Sequence, residues 1–236
     1  LRRYSFENND QLKIILDKTP FYAESGGQTS DLGTLEQNGN KWRVVDVQKQ
    51  GDSIVHFCNV FDAVDKDKLP DNSLVYASID ESARLKTTNN HTAAHLMHEA
   101  LKQVLGEHVN QAGSLVNSEM LRFDFTHFEK VKNTQLDEIE NIVNAVIREN
   151  ISTYIYETPF KNAIDSGITA LFGEKYGDVV RVVKISDFSE ELCGGCHVKA
   201  TGQIGLFRIV SEEGIAAGIR RVVAVTGKQA ELMTQE

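Results

Sequence analysis

The first third of the chain shows the patterns of short β-strands. Apolar side chains, alone or alternating with polar ones, occupy residues 11–16, 41–47, 53–60 and 73–79, and runs of this length are typical of strands. Turn signals rich in glycine, asparagine or proline separate these runs. Several short strands at this spacing favour a small β-barrel. We therefore predict a barrel-like module over residues 1–86.

Helical spacing replaces this pattern near residue 87. Apolar positions between residues 94 and 105 recur every three or four residues, which predicts a helix with one buried face. Asn89 or Asn90 is its predicted N-cap, and Gly106 stands at its predicted end. The same spacing predicts a second helix from Thr134 to Glu149.

Strand patterns return on both sides of the second helix. Residues 109–116 and 120–125 predict a β-hairpin, and residues 152–157, 179–186, 204–210 and 219–225 predict further strands. Strands and helices mixed in this way indicate the α+β class. For residues 87–236 we predict an α/β sandwich, with helices on one side of a mainly antiparallel sheet.

Composition limits the partners that the chain can attract. It has 25 lysine and arginine residues against 34 aspartate and glutamate residues, a formal net charge of −9. Nucleic-acid binding depends on basic side chains that displace counterions, so any such contact needs a local basic patch. No apolar run approaches the roughly 20 residues of a membrane span. We therefore expect no membrane partner.

Cysteine usage indicates the cellular setting. Cys58, Cys193 and Cys196 are too few, and odd in number, for a disulfide framework, which predicts a reducing, cytoplasmic location. Cys58 lies in an apolar run and is predicted to be a small buried hydrophobic residue. The chain has no basic and apolar leader and begins at Leu1 without an initiator methionine, so we expect it to be a piece of a longer polypeptide.

Two separated motifs supply a candidate metal site. His91 and His95 are four residues apart, so on a helix they share one face. Cys193 and His197 flank a Gly-Gly pair that permits a tight turn. Three imidazoles and one thiolate are ligands that zinc accepts. Thr92 occupies the position of the glutamate in His-Glu-x-x-His, which disfavours a zinc protease.

The blocks around these residues follow a family pattern. They are Leu16-Asp-Lys-Thr-Pro-Phe-Tyr-Ala-Glu-Ser-Gly-Gly-Gln28, Asn90-His-Thr-Ala-Ala-His-Leu-Met-His98, Leu105-Gly-Glu-His-Val-Asn-Gln-Ala-Gly-Ser114, Leu121-Arg-Phe-Asp-Phe125, Glu191-Leu-Cys-Gly-Gly-Cys-His-Val198 and Ala216-Ala-Gly-Ile-Arg-Arg-Val222. In this order they resemble the editing region of the alanyl-tRNA synthetases, to which free-standing trans-editing proteins are related. The resemblance spans nearly the whole chain.

The resemblance implies a zinc site and a hydrolytic activity. In that family the residues that match His91, His95, Cys193 and His197 bind zinc in a domain that hydrolyses mischarged tRNA. Cys196 stands where the family usually has threonine, so a second thiol lies beside the site and leaves the choice of sulfur open. The register of the motif favours Cys193.

The implied substrates are Ser-tRNA(Ala) and Gly-tRNA(Ala). A pocket for alanine discriminates poorly against glycine, since one methyl group contributes about 1–3 kcal/mol, and poorly against serine, which adds only a hydroxyl. A second, hydrolytic site supplies the missing selectivity. The implied partners are the acceptor end of tRNA-Ala and the remainder of a synthetase chain, whose aminoacylation and oligomerisation modules have no counterpart here. No phosphate-binding loop of the Gly-x-x-x-x-Gly-Lys type is present either.

Further site residues are implied by the same blocks. Gln111 and Ser114 offer polar groups for a serine hydroxyl, and Gly26, Gly27 and Gln28 of the first module permit a close backbone approach to the tRNA end. Of the adjacent Arg220 and Arg221, which face opposite ways on a strand, one is expected to contact tRNA and the other to pair within the domain. Lys199 and Arg208 extend this basic patch. No catalytic base is assigned, although His98 and His108 lie nearby in sequence.

Three alternatives stay open at this point. Four protein ligands are typical of a closed, structural zinc, so a non-catalytic tRNA-binding module is one of them. A free-standing trans-editing deacylase is the second. A metallohydrolase that cleaves small esters without tRNA is the third.

Overall fold

The computed structural model describes residues 3–7, 11–60, 74–170 and 176–234 and has the α+β class that the sequence predicts, with antiparallel sheets and helices. The chain divides into two units. One comprises Leu1–Ser25 and Thr29–Arg84, and the other comprises Gly26–Gln28 and Leu85–Glu236. Among the described residues, no helix has the length and apolarity needed to cross a membrane. The boundary predicted after residue 86 stays a prediction about independently folding domains.

The first unit is built on one six-stranded antiparallel sheet. Its order is β1-β2-β5-β4-β3-β6, with β1 at Arg3–Glu7, β2 at Gln11–Ile15, β3 at Gly33–Gln37, β4 at Asn40–Gln50, β5 at Ser53–Val60 and β6 at Tyr76–Ile79. In the described part of the chain β1 and β6 are edge strands that do not pair with each other, so the sheet is open. The predicted closed barrel is not confirmed. Sequence reasoning missed β1 and β3, and residue 73 of the last predicted strand lies outside the described residues.

Alternation along β4 builds the core of this unit. Trp42 and Val44 are buried two residues apart, and Val47 is the next buried position. A register shift between Val44 and Asp46 inserts the extra residue, because a β-bulge moves the following side chains to the other face. Cys58 packs in the same core and is fully buried, which confirms its predicted role. Burial raises the pKa of its thiol to about 12.

His56 is a fully buried histidine in this unit. Its Nδ1–H donates to the Ile14 carbonyl oxygen at 3.0 Å, and its Nε2 lies 2.7 Å from the Thr19 hydroxyl oxygen. This pattern makes Nε2 the acceptor of the hydroxyl proton, so both ring nitrogens are satisfied in the neutral form. Burial lowers the pKa of His56 below 6.5, outweighing the backbone hydrogen bond, which raises it.

The stability of the first unit should therefore fall in acid. Below pH 6.5 the unfolded chain protonates His56 while the folded chain does not, so unfolding gains a proton and stability drops by up to about 1.4 kcal/mol per pH unit. Above pH 6.5 this contribution is fully present. Urea unfolding followed by the fluorescence of Trp42, the single tryptophan, at pH 7.5 and 5.5 measures the drop. A His56→Gln variant should show a smaller pH dependence, and an NMR pKa for His56 at or above 6.5 would contradict the explanation.

The second unit contains two antiparallel sheets rather than the single sheet predicted. One has the order β12-β13-β8-β7 and the other the order β11-β10-β9. The elements are α1 Glu81–Leu105 (whose first turn belongs to the first unit), β7 Gln111–Val116, β8 Leu121–Thr126, α2 Asn133–Glu149, β9 Thr153–Pro159, α3 Phe160–Asp165, β10 Val179–Ile185, β11 Ser189–Leu192, a 3₁₀ turn Thr201–Ile204, β12 Phe207–Ala216, β13 Ile219–Thr226 and α4 Gly227–Thr234.

One apolar core joins α1 and α2 to the four-stranded sheet. Leu121 and Phe123 of β8 pair in register with Ala224 and Val222 of β13, so these four side chains share one face of the sheet. All four are buried together with the apolar stripes of α1 and α2. The core therefore fixes the inner face of α1.

The start of α1 differs from the prediction. The helix begins at Glu81, where Asp80 Oδ1 accepts the N–H of Ala83 at 3.0 Å and so satisfies one of the free donors of the first turn. Asn90, a predicted N-cap, is buried inside the helix. Its side chain donates to the Asn117 carbonyl oxygen and accepts from the Thr226 hydroxyl. The first turns of α1 carry few apolar side chains, which is why periodicity placed the start too late.

The second helix also begins differently from the prediction. It starts at Asn133, and the Gln135 side chain accepts the N–H of Lys132 at 3.0 Å. The predicted start at Thr134 is therefore one residue late.

Candidate metal centre

Helix α1 presents the first two candidate ligands. His91 and His95 are both buried, each 6% exposed, and their ring centroids are 5.4 Å apart. A separation of four residues places side chains one turn apart on the same helix face, as the sequence predicts. Every side chain of α1 from Asn90 to His98 is buried, so both rings are held away from bulk solvent.

The loop after β11 presents the other two. Cys193 N–H donates to the Arg181 carbonyl oxygen at 3.0 Å, and the Arg181 guanidinium donates back to the carbonyl oxygens of Cys193 and Gly195 at 2.6 and 2.9 Å. These three bonds tie the Gly-Gly loop to β10. They bring Cys193 Sγ to 3.4 Å from His91 Nε2 and 3.2 Å from His197 Nε2.

The four candidate ligands form one compact group. Their ligand atoms, from His91, His95, Cys193 and His197, all lie within 4.8 Å of one another. A tetrahedral zinc ion with bonds of about 2.0–2.3 Å needs ligand atoms about 3.3–3.8 Å apart, so modest closure around an ion satisfies the geometry. Cys196 is not in this group, and its backbone N–H donates to Gln28 Oε1 at 2.8 Å. The geometry therefore favours Cys193 as the sulfur ligand.

Outer partners orient two of the imidazoles. His91 Nδ1 lies 2.6 Å from Gln28 Oε1, which only accepts hydrogen bonds, so Nδ1 carries the proton. His197 Nδ1 lies 3.2 Å from the Thr92 hydroxyl oxygen. That hydroxyl donates to the Thr88 carbonyl oxygen, so it accepts the Nδ1–H of His197. In both rings the lone pair of Nε2 therefore points towards Cys193 Sγ, which is the arrangement that metal binding requires.

Burial and charge prepare the same group electrostatically. Burial would raise the pKa of the Cys193 thiol, but His91, His197 and His95 outweigh it and hold that pKa well below its usual value. Burial is the main cause that lowers the pKa of His197 to about 3, so this ring is neutral. Burial would also lower the pKa of His95, yet Glu191 and Cys193 raise it to about 9. A thiolate and a neutral imidazole are the forms that bind a divalent metal ion. Cys193 and His197 are therefore already in the binding form, whereas His95 is protonated near pH 7 and has to release its proton to a bound ion.

Gly26, Gly27 and Gln28 belong to the second unit, not to the first module as predicted. Val116 N–H donates to the Gly27 carbonyl oxygen at 2.7 Å, and Gln28 forms a parallel bridge with Val116. Gly27 has φ +80°, and a Cβ there would overlap the Ser114 hydroxyl oxygen and lie 2.8 Å from the Ser114 carbonyl oxygen. Only glycine permits this approach to β7, and the approach delivers Gln28 to the metal group.

The predicted pocket residues lie beside this approach. Gln111 Nε2 is 3.4 Å from Ser114 Oγ, and Ser114 contacts Gly27 as described. Gln28 is fully buried, and its Nε2 has no hydrogen-bond partner among the described residues. A buried amide donor without a partner is costly in a folded protein. Within the described ranges, Gln28 Nε2 is therefore an unsatisfied donor beside the metal group.

Both arginines predicted for tRNA contact are ion-paired. Arg220 Nε donates to Glu212 Oε1 at 2.5 Å, and Arg221 donates to both oxygens of Asp124 at 2.7 and 2.8 Å. Both arginines therefore pair within the domain, where one was expected to do so, because carboxylates lie within reach on both faces of β13. Arg208, predicted to extend the basic patch, pairs with Glu140 at 2.6 Å. Contact with tRNA stays a prediction for Arg220 and Arg221.

The structure separates the two histidines considered as catalytic bases. His98 is buried, and its Nδ1 is 3.0 Å from Glu191 Oε1. His108 Nε2 lies 2.8 Å from His127 Nδ1, and His108 is not among the four ligands of the metal group. Sequence reasoning missed Thr92, Arg181 and Glu191 as supports of the site. Only the spacing of His98, three residues after His95 on one helix face, could have indicated a shared contact.

Comparison with known proteins now places the chain. Residues 180–223 match the family described as threonyl and alanyl tRNA synthetase second additional domain, and residues 2–83 match the class II (A) tRNA synthetases. The chain is 52% identical to the alanine–tRNA ligase of Bacillus anthracis over 235 residues, 98% of this chain. The chain belongs to the alanine–tRNA ligase family.

Alanine–tRNA ligases from other bacterial genera are similar to the chain to the same degree. The alanine–tRNA ligase of Caldicellulosiruptor saccharolyticus is 48% identical over 234 residues, 95% of this chain, and that of Geobacillus kaustophilus is 52% identical over 221 residues, 94% of this chain. The chain spans about a quarter of the length of these ligases, 26% for the first and 25% for the second. The similarity therefore concerns one region of a longer synthetase.

Proposed function

We propose that this chain is the editing region of an alanine–tRNA ligase and hydrolyses the ester of Ser-tRNA(Ala) and Gly-tRNA(Ala) in a zinc-dependent reaction. The observation that carries the proposal is the compact group of three imidazoles and one thiolate, whose four ligand atoms lie within 4.8 Å of one another, with His91 and His95 buried and Cys193 and His197 half-buried. Family membership supports the substrate class, since the relatives are alanine–tRNA ligases.

His91, His95, Cys193 and His197 would hold the zinc ion. When bound, zinc supplies a Lewis-acidic charge beside the aminoacyl ester. The residues of the chain do the rest. Gln28 Oε1 holds His91 and the Cys196 N–H in place, so its Nε2 is fixed in orientation. Burial of both α1 histidines keeps bulk water from competing for the site.

Gln28 Nε2 and the Ser114 hydroxyl are the proposed recognition groups. The Nε2 donor is buried and unpaired among the described residues, and Gly27 brings this segment against Ser114. A site that hydrogen-bonds the serine hydroxyl rejects alanine, because its polar groups then stay unpaired around a methyl. Glycine has no methyl to place against Gln28 Nε2 and the Ser114 hydroxyl, so a water molecule can stay hydrogen-bonded to these two groups. Alanine is therefore spared while serine and glycine are accepted.

The proposed macromolecular partners are the acceptor end of tRNA-Ala and the remainder of the synthetase chain. Arg221 donates two hydrogen bonds to Asp124. Its guanidinium has further N–H groups that can bind a phosphate. Arg220 is held by Glu212 in the same strand pair. Local contacts of this kind suit a chain whose net charge is −9, because the charge balance provides no general attraction to tRNA.

Deacylation of Ser-tRNA(Ala) by the 236-residue chain tests the proposal. The zinc-loaded chain should release serine with multiple turnovers, a chelator should abolish the activity, and added zinc should restore it. Ala-tRNA(Ala) should be cleaved far more slowly, since its methyl leaves Gln28 Nε2 unpaired.

Three results would contradict it. Bound zinc and a retained fold without turnover would identify a non-catalytic tRNA-binding module, which the closed set of four ligands favours. Equal cleavage of small amino acid esters without tRNA would identify a general esterase. If a chelator had no effect on deacylation, zinc would take no part in the reaction.

A further inference from the structure

Glu191 is a buried carboxylate that the proposed reaction does not use. It lies in β11 two residues before Cys193 and is 5% exposed. A buried carboxylate is costly unless it is paired and hydrogen-bonded. The adjacent Glu190 faces the opposite side of the strand, where it accepts the Tyr156 hydroxyl at 2.6 Å and the Lys184 ammonium at 2.8 Å.

The two oxygens of Glu191 are divided between two histidines of α1. Oε1 accepts Nδ1–H of His98 at 3.0 Å, and Oε2 lies 3.8 Å from Nδ1 of His95. His95 Nδ1 is buried and has no hydrogen bond within the described part of the chain, so this carboxylate oxygen is its counter-charge. His98 is three residues after His95, so both rings reach the carboxylate from one face of the helix.

The outer partners of the three ligand histidines differ in kind. His91 faces the amide oxygen of Gln28, and His197 faces the hydroxyl of Thr92. His95 faces a carboxylate. A carboxylate that accepts the outer N–H of a ligand imidazole fixes its tautomer and makes the inner nitrogen a stronger metal ligand. Glu191 Oε2, 3.8 Å from His95 Nδ1, forms that hydrogen bond once the two atoms approach by about 1 Å. Of the three rings, His95 therefore has the partner best able to strengthen its bond to a metal.

His98 holds the carboxylate in this position. Its ring packs on Phe123, with the centroids 5.0 Å apart, and its side chain is 2% exposed. Phe123 belongs to the core face of the four-stranded sheet, so the His98 ring packs between α1 and that sheet. Glu191 Oε1 is thereby tied to the rigid core, and Oε2 is left for His95.

We propose that Glu191 is a positioning residue for the metal centre: it orients His95 through Nδ1, and His98 anchors Glu191. This inference rests on the proposed metal site but not on deacylation. Glu191 is assigned no contact with the tRNA ester.

Zinc affinity of Glu191→Gln tests the assignment, with Glu190→Gln as the matched control. Glutamine keeps the size of the side chain and can still accept from His98, but it loses the charge that faces His95. Competition against a chromophoric chelator should show about 10- to 100-fold weaker zinc binding for E191Q, the range typical of outer-partner mutations. E190Q should bind zinc like the unmodified chain. In the zinc-loaded protein, the Nδ1–H NMR resonance of His95 should shift in E191Q and stay in place in E190Q.

A purely structural role predicts a different pattern. In that case E191Q would lower the thermal stability of the metal-free chain while zinc affinity and the His95 resonance stay unchanged, and the proposal would fail. If E191Q does not fold, His98→Asn replaces it: zinc binding should weaken in the same direction, and unchanged affinity would overturn the proposal. An unmodified chain that binds zinc without hydrolysing Ser-tRNA(Ala) would refute the proposed function and leave the Glu191 assignment standing. An unmodified chain that binds no zinc would overturn both.

Discussion

Replacing Cys193 with alanine should abolish zinc binding, while replacing Cys196 with alanine should leave it intact. Cys193 Sγ lies 3.4 Å from His91 Nε2 and 3.2 Å from His197 Nε2, and its thiol pKa is held well below the usual value by the surrounding imidazoles. It is the single anionic ligand of the group. Its removal should lower zinc affinity by more than about 100-fold, beyond the effect of an outer partner.

Metal analysis of the purified variants provides the measurement. The Cys193→Ala protein should contain almost no zinc and should lose Ser-tRNA(Ala) deacylation. The Cys196→Ala protein should retain both, because Cys196 contributes its backbone N–H to Gln28 Oε1 at 2.8 Å, and that bond survives loss of the thiol. Zinc lost from Cys196→Ala alone would show that the sulfur ligand was assigned to the wrong cysteine.

Replacing Gly195 with alanine should disrupt the same centre without touching a ligand. A Cβ at Gly195 would overlap the His91 imidazole and lie 2.9 Å from Gln28 Oε1. The Gly-Gly loop cannot move away, because the Arg181 guanidinium donates hydrogen bonds to the carbonyl oxygens of Cys193 and Gly195. His91 must therefore turn, and the bond between its Nδ1 and Gln28 must break. We expect zinc affinity to fall at least about tenfold and the metal-free protein to lose about 1–3 kcal/mol of stability, as in other overpacked sites.

Gly194 supplies the matched control for this prediction. A Cβ at Gly194 meets no atom within 4 Å, although it lies in the same loop and adjoins Cys193. Gly194→Ala should therefore bind zinc within about twofold of the unmodified chain. A change of that size is what a stiffer loop alone would cause. Equal losses in both variants would mean that the loop needs flexible glycines rather than space beside His91.

The candidate ligands could be predicted from the sequence because local rules determine their arrangement. A spacing of four residues puts His91 and His95 on one helix face wherever the helix begins, so the misplaced start of α1 did not affect the result. Apolar alternation likewise predicted β2, β4 and β5. Helix starts were less predictable, since Asp80 caps α1 through a side-chain bond that apolar periodicity does not detect.

The supports of the centre could not be predicted in this way. Gln28 and His91 are 63 residues apart, Thr92 and His197 are 105 apart, and His98 and Glu191 are 93 apart. No local preference of a glutamine, threonine or glutamate specifies such a partner. The same limit explains the wrong module for Gly26, Gly27 and Gln28, and the unexpected second ion pair among Arg220 and Arg221. Each depends on which strand or loop lies alongside.

By itself, the sequence determined the chemistry of this protein: three imidazoles and a thiolate at helical and Gly-Gly spacing, within blocks that resemble one synthetase family. Donor type and short-range spacing are properties of the chain, so they can be identified before folding. Only the tertiary structure decided which sulfur joins the group, which outer partner orients each imidazole, and whether the first sheet closes. These outcomes depend on contacts between distant segments, whose geometry arises when α1, β7 and the loop after β11 pack together.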